Sequence, residues 1–212
     1  MNVFGVNLLI FKMKHLFFLL LLLQTSGFAQ VNPADVIIAR DSFGVPHIFG
    51  KTDADAAYGL AWAHSEDNFR DIQFVLLSGK GMLGKAIGRK GAEADYVAAL
   101  LRCRDVVEEK FGSLSPEFMK VIEGYVAGIN AYAKKHPEEV LLKKAFPATA
   151  KDYLSSVTFS LCNSSGIDRQ VPSLMAGSVN TTEGFVSGGS NAFAIHPSHT
   201  TTGEAFLAIN SH

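Results

Sequence analysis

The feature that most limits what this chain can fold into is a change of residue pattern at Asn163. Upstream of it, apolar residues recur at helical spacing. From Asn163 to Gly189 the chain is rich in Ser, Gly, Thr and Asn with little periodicity, which reads as an exposed linker. Downstream, Asn191 to Ile195 and Glu204 to Asn210 are β-rich runs on either side of the turn-forming HPSHTTTG, a hairpin by pattern. A helical region, a linker and the first hairpin of a new sheet thus follow one another. The chain reaches His212 with that sheet barely begun, so the expectation is the first part of a longer α+β protein.

The helical region has readable punctuation. Val36 to Arg40 and Val45 to Phe49 are expected to be short strands around the turn Asp41-Ser42-Phe43-Gly44, and Pro46 places the second strand at a sheet edge. Thr52, with Asp55 three residues on, caps a long helix from Asp53 to about Leu77 that carries Tyr58, Trp62, Phe69 and Ile72. Gly79, Gly81, Gly84 and Gly88 predict a tight, glycine-punctuated loop whose spacing matches no phosphate cradle. A second helix is expected from about Ala92 to Lys110. The clearest helix opens at Ser115-Pro116, and its Phe118, Val121, Ile122, Tyr125, Val126 and Ile129 form one apolar face. Pro137 stops it, with Lys134, Lys135 and His136 near the negative end of its dipole. Thr149 and Asp152 repeat the cap-plus-acid pattern and open a fourth helix reaching about Cys162.

The chain begins with an export signal. Leu16 to Leu23 read LFFLLLLL, Lys12 and Lys14 precede them and Gly27-Phe28-Ala29 follows. The run is too short for a membrane-spanning helix, which needs roughly 20 apolar residues. Cleavage after Ala29 leaves Gln30 at the mature N-terminus, where the absence of cysteine excludes a lipid anchor. The first dozen residues are uncharged up to Lys12, so Met13 is the more natural start. A mature protein outside the cytoplasm, periplasmic or secreted and without a membrane partner, is the expectation. Charge agrees: 19 Lys+Arg against 20 Asp+Glu give a formal net charge of −1, which points to neither nucleic acid nor an anionic membrane. The two cysteines, Cys103 and Cys162, carry no CxxC or Cys/His cluster, which argues against zinc. Pairing in an oxidising compartment and two separate buried thiols both remain open.

The bond between Gly189 and Ser190 is where chemistry is expected. Cutting it gives Ser190 a free α-amino group at the head of a strand. Such an amine has a reference pKa of about 7.7–8.0 and can take the proton of its own Oγ near neutral pH, so no separate His/Asp pair is required. The same hydroxyl is placed to open the peptide bond first, and Gly189 on the acyl side tolerates the strained approach.

The residues here carry a family resemblance. GSNAFAIHPSHTTTGEAFLAINSH, Gly189 to His212, resembles the start of the catalytic β-chain in the penicillin amidase (penicillin acylase) family. IIARDSFGVPHIFGKTDADAAYGLAWAHSEDNF, Ile37 to Phe69, is similar to the opening of that family's α-chain, and YVAGINAY, Tyr125 to Tyr132, to its GxNA-containing helix. The EDNF piece and the short linker resemble the branch with aculeacin acylase and acyl-homoserine-lactone acylases. The resemblance implies an N-terminal-nucleophile hydrolase with a four-layer αββα sandwich. Residues 1–29 would be the signal peptide, 30–165 the mostly helical α-chain, 166–189 an excised spacer and 190–212 the start of the β-chain. It implies a proenzyme that cuts itself into an α/β heterodimer and hydrolyses a small-molecule N-acyl amide: a β-lactam side chain, an acyl-homoserine lactone or a lipopeptide. Ser190 matches the family nucleophile. His212 matches a family His that orients the amine and hydroxyl, while the rest of the oxyanion hole lies further along the β-chain. No cofactor is implied for the chemistry. Some members hold a structural calcium with one α-chain acid and several β-chain acids, and Asp168 is the one acid near the corresponding place, without a ligand set to support it.

Other polar residues have plainer readings. His196 and His199 flank the hairpin turn, His47 and His64 read as hydrogen-bonded structural histidines, and Arg40 with Asp41 as turn stabilisers. Glu66 and Asp67 are placed to accept backbone or Arg contacts. The rival function is a secreted non-catalytic binding protein of the same architecture, against which the presence of both Ser190 and His212 argues. A Ser-His-Asp hydrolase is disfavoured because no G-x-S-x-G elbow occurs.

Overall fold

The computed structural model describes residues 31–167 and 191–210, with the isolated positions 170, 173, 176 and 177 between them. The described residues fall into two compact units, one up to Phe74 together with Glu109–Tyr153, the other Val75–Glu108 together with the residues from Leu154 onward.

Strands β1 (Ile37–Arg40) and β2 (Pro46–Phe49) pair antiparallel, with Arg40 opposite Pro46. Asp41 builds the turn as its Oδ1 accepts from the backbone N–H groups of Phe43 and Val45, at 2.9 and 3.0 Å. Helix α1 (Asp53–Gly79) starts at the expected capping box: Asp55 N–H donates to Thr52 Oγ1, and Thr52 N–H donates back to the Asp55 carboxylate. The helix is kinked at Asn68, whose φ of −146° and ψ of 43° leave the helical range.

Helix α2 (Leu83–Ile87) lies inside the stretch expected to be a glycine loop. Gly81 and Gly88, both at positive φ, break the chain as anticipated, but the turn between them is helical because Asp95 caps it from a distance. The Asp95 carboxylate accepts from Leu83 N–H at 2.9 Å and Gly84 N–H at 2.8 Å, two of the donors a helix start leaves without partners. The single helix expected over 92–110 is two, α3 (Arg89–Leu100) and α4 (Cys103–Lys110). Arg102 stands between them at φ 55°, a left-handed conformation that an uninterrupted helix does not allow. Ala98 and Cys103 pack with Phe159, with Ala94, Val97 and Leu101 around them, to form a small core of the second unit.

Helix α5 (Pro116–Lys135) opens as expected, the Ser115 hydroxyl accepting from Phe118 N–H. Ile122, Val126 and Ile129 are buried; Phe118 is 48% exposed and does not join them. The reason is the partner helix. Gly124 of α5 lies on the Ala54 carbonyl near the start of α1, so one and a half turns earlier α1 no longer covers Phe118. Gly128 lies on the Tyr58 carbonyl, and a β-carbon there would also sit 2.8 Å from the Ala61 side chain. The two glycines therefore let α5 and α1 touch backbone to backbone. Ala61, Phe69 and Ile72 of α1 meet Ile129, Tyr132 and Ala133 of α5 in the core of the first unit. Phe69 and Tyr132 rings lie 4.9 Å apart, and Trp62 meets Tyr132 edge-on at 5.5 Å.

Two side-chain amides stand in for backbone in the loop after α5. The buried Gln73 donates to the Glu139 carbonyl at 3.0 Å and accepts from Leu141 N–H at 2.8 Å. Asn130 donates to the Ala148 carbonyl at 2.9 Å and accepts from its N–H at 2.7 Å. Asn130→Ala leaves both groups of Ala148 without partners, at a cost of roughly 2–4 kcal/mol. Chemical denaturation of the full-length variant should show this loss, and an unchanged midpoint would mean water replaces the amide freely. Helix α6 (Ala150–Cys162) repeats the box of α1, Thr149 and Asp152 exchanging bonds, and a five-residue π-turn, Asn163–Ile167, follows it.

Candidate active site

The hairpin that follows the linker is present. Strand β3 (Asn191–Ile195) pairs antiparallel with β4 (Phe206–Asn210), two residues later in onset than the run expected from Glu204. The turn is built by the residues read as structural. His196 accepts from Ser198 N–H through its ring Nδ1, and Thr200 Oγ1 donates to the carbonyls of Pro197 and Glu204 at 3.0 Å each. Gly203 closes it at φ 73°. The register pairs Asn191 with Asn210, so β3 opens on the residue after Ser190 and β4 closes two residues before His212. Gly189, Ser190 and His212 themselves, like Ala29, Gln30 and Asp168, lie outside the described residues.

On the helical side, the segment Ile37–Phe69 is tied together by one cation. Arg40 Nη2 meets Asp67 at 2.9 Å and Glu66 at 3.1 Å, while Nη1 donates to the Gly44 carbonyl at 2.8 Å. The guanidinium pKa is raised, by its bond to Asp67 first and Glu66 second, and stays charged. The acidic pair thus fixes the N-terminal hairpin on α1 just before the kink at Asn68. Both histidines of the region are hydrogen-bonded: His47 Nε2 to Asp41 at 3.2 Å and His64 Nδ1 to the Tyr125 hydroxyl at 2.9 Å. Burial, with the charge of Tyr153 second, pushes the Tyr125 phenol up to about 12, so it meets His64 as a neutral hydroxyl. These contacts position elements and leave no group free for acid–base work.

Sequence reasoning missed two features of the first unit. A cavity of about 570 Å³ is lined by Asn130, Ala133, Lys134, Val140, Phe146 and Pro147 among others, and is largely apolar. Just after α5, one ligand atom each of His136, Glu138 and Glu139 lie within 4.8 Å of one another. The Tyr132 hydroxyl donates to Glu139, and the His136 ring stacks on Tyr132 at 4.3 Å. A His-x-Glu-Glu run at a helix end is the only sequence trace of this group.

A family model described as "Penicillin amidase" matches residues 35–212. The penicillin acylase 2 proenzyme of Pseudomonas sp. is 31% identical over 99 residues, 47% of this chain and 13% of that protein. The acyl-homoserine lactone acylase QuiP of Pseudomonas aeruginosa is 26% identical over 145 residues, 66% of this chain and 17% of that protein. The chain thus spans less than a fifth of the length of these relatives. Among solved structures, thermostable penicillin G acylase from Alcaligenes faecalis matches with a TM-score of 0.54 and 22% identity, over 66% of this chain and 79% of that one. That likeness carries the fold: the mostly helical part and two short two-stranded sheets.

Proposed function

With this chain belonging to the penicillin amidase family, a match that covers residues 35–212, we propose that it is the leading part of an exported acylase precursor that cuts itself between Gly189 and Ser190. The single observation that carries the reading is that β3 opens on Asn191, which puts Ser190 immediately before a strand within the matched region. In this reading residues 1–29 direct export, 30–165 form the α-chain, 166–189 are the spacer and 190–212 begin the β-chain. Among the described residues no helix is long and apolar enough to cross a membrane.

The chemistry follows from the Ser190 hydroxyl. Its Oγ attacks the Gly189 carbonyl carbon, and the acyl group passes from nitrogen to oxygen. Water then hydrolyses the ester and frees the Ser190 α-amino group. In each catalytic cycle that amine takes the Oγ proton as Oγ attacks the amide carbonyl of a bound N-acyl substrate. The proton goes to the leaving amine, and water releases the acid from the acyl-serine. His212 orients the amine and hydroxyl. The names of the relatives support β-lactam and acyl-homoserine-lactone amides as the substrate class.

N-terminal sequencing of the full-length gene product decides the matter. The expected result is one chain beginning at Gln30 and a second beginning at Ser190, with amine released from an N-acyl amide panel. An active enzyme that remains one chain, or a second chain beginning elsewhere, overturns the proposal.

A further inference from the structure

The chain has two cysteines, far apart in sequence, and the fold brings them together. Cys103 opens α4 and is fully buried; Cys162 is the last residue of α6 and is half-buried. Phe159, three residues before Cys162 and hence on the same helix face, packs directly against Cys103. Both thiols belong to the second unit, and the Cys103 thiol is hydrogen-bonded to that of Cys162. We propose that Cys103 and Cys162 close a disulfide that staples the end of α6 to the start of α4. The proposal rests on the export reading for its oxidising compartment and on the spacer reading for its purpose. Excision of 166–189 leaves α6 close to a new chain end, and free ends fray unless tied down. A bond at Cys162 ties that end to the core around Cys103.

The reaction needs a disulfide oxidant, such as oxidised glutathione or an exported dithiol–disulfide oxidase. The half-exposed Cys162 thiolate attacks the oxidant and forms a mixed disulfide, expelling one thiol. Cys103 then loses its proton, attacks Cys162 Sγ and expels the second thiol, so two electrons pass to the oxidant. Burial, and then the neighbouring Cys162 sulfur, push the Cys103 thiol up to about 11. Closure is therefore the slow step, and it accelerates as pH rises towards that value.

The test uses full-length protein purified under reducing conditions, freed of reductant, and incubated folded with oxidised glutathione. The thiols are then alkylated in denaturant and mapped by peptide mass. The expected result is a Cys103–Cys162 peptide pair that disappears on reduction. Alkylation of both residues should fall by roughly tenfold or more, as for a structural disulfide that resists the glutathione pool. Cys103→Ser should trap glutathione on Cys162. Wild-type protein whose two cysteines stay alkylatable, or that keeps glutathione on Cys162 without closing at raised pH, overturns the proposal. Closure in vitro with reduced thiols in cell-derived protein leaves the staple standing and counts against export instead.

Discussion

Ser190→Ala leaves the full-length precursor as a single chain that releases no amine from any N-acyl substrate. The substitution removes one oxygen at a residue that immediately precedes β3, so the family fold should survive it. What is lost is the atom that attacks Gly189 and, after processing, the atom that attacks substrate. A merely structural serine would give a cleaved and active variant instead, and gel mobility with an amine-release assay separates the outcomes in one experiment. Ser190→Cys retains a nucleophile and is expected to process while turning over substrate poorly. The third variant, His212→Ala, should fold, process slowly and lose roughly 10²–10⁴-fold in rate, the contribution of a well-placed proton-handling group.

Gly128→Val should prevent the first unit from folding at normal temperature. The new side chain would fall on the Tyr58 carbonyl and on Ala61, and neither is the flexible end of a long side chain. Overpacking a core commonly costs 1–3 kcal/mol, and here a whole helix must retreat, so a loss on the order of 3 kcal/mol or more is expected. That is a large fraction of an ordinary domain's stability. The core beyond the crossing would open with it, since Ile129 and Tyr132 reach Phe69 only when the helices touch. Gly112→Ala is the control. Nothing lies within 4 Å of its added carbon, and its effect should stay within about 0.5 kcal/mol. Thermal melting of both variants measures the contrast, and equal melting temperatures would show that α1 and α5 do not meet at Gly128.

What the sequence made legible, and what it did not, divides along chain distance. Thr52 with Asp55, Ser115 with Phe118 N–H and Thr149 with Asp152 each complete a bond within three residues, and all three were readable before any fold was known. Asp95 capping α2 from 11 or 12 residues away, and the left-handed Arg102, carry no local signature. Both corrected the reading of the 79–110 stretch. The apolar stripe of α5 was visible, but Phe118 shows that a stripe does not say where its partner helix ends. Gly124 and Gly128, which set that partnership, are silent in a search for apolar residues. At the site, the nucleophile was legible from linker, strand and the chemistry of an N-terminal amine. The clamp of Arg40 on Glu66 and Asp67 was open as a choice among contacts, because it joins residues 26 and 27 positions apart.

The loop that closes the cavity beside α5 has an unusual division of labour. Gln73 holds it at Glu139 and Leu141, and Asn130 holds it at Ala148, in each case through main-chain atoms alone. Neither anchor reads the side chain it grips. Val140 and Phe146, which face the cavity between those anchors, can therefore be exchanged without loosening the loop's ends. The frame is specified by two amides and the lining is left to vary, so relatives of this chain can reshape the hollow while keeping the same skeleton around it.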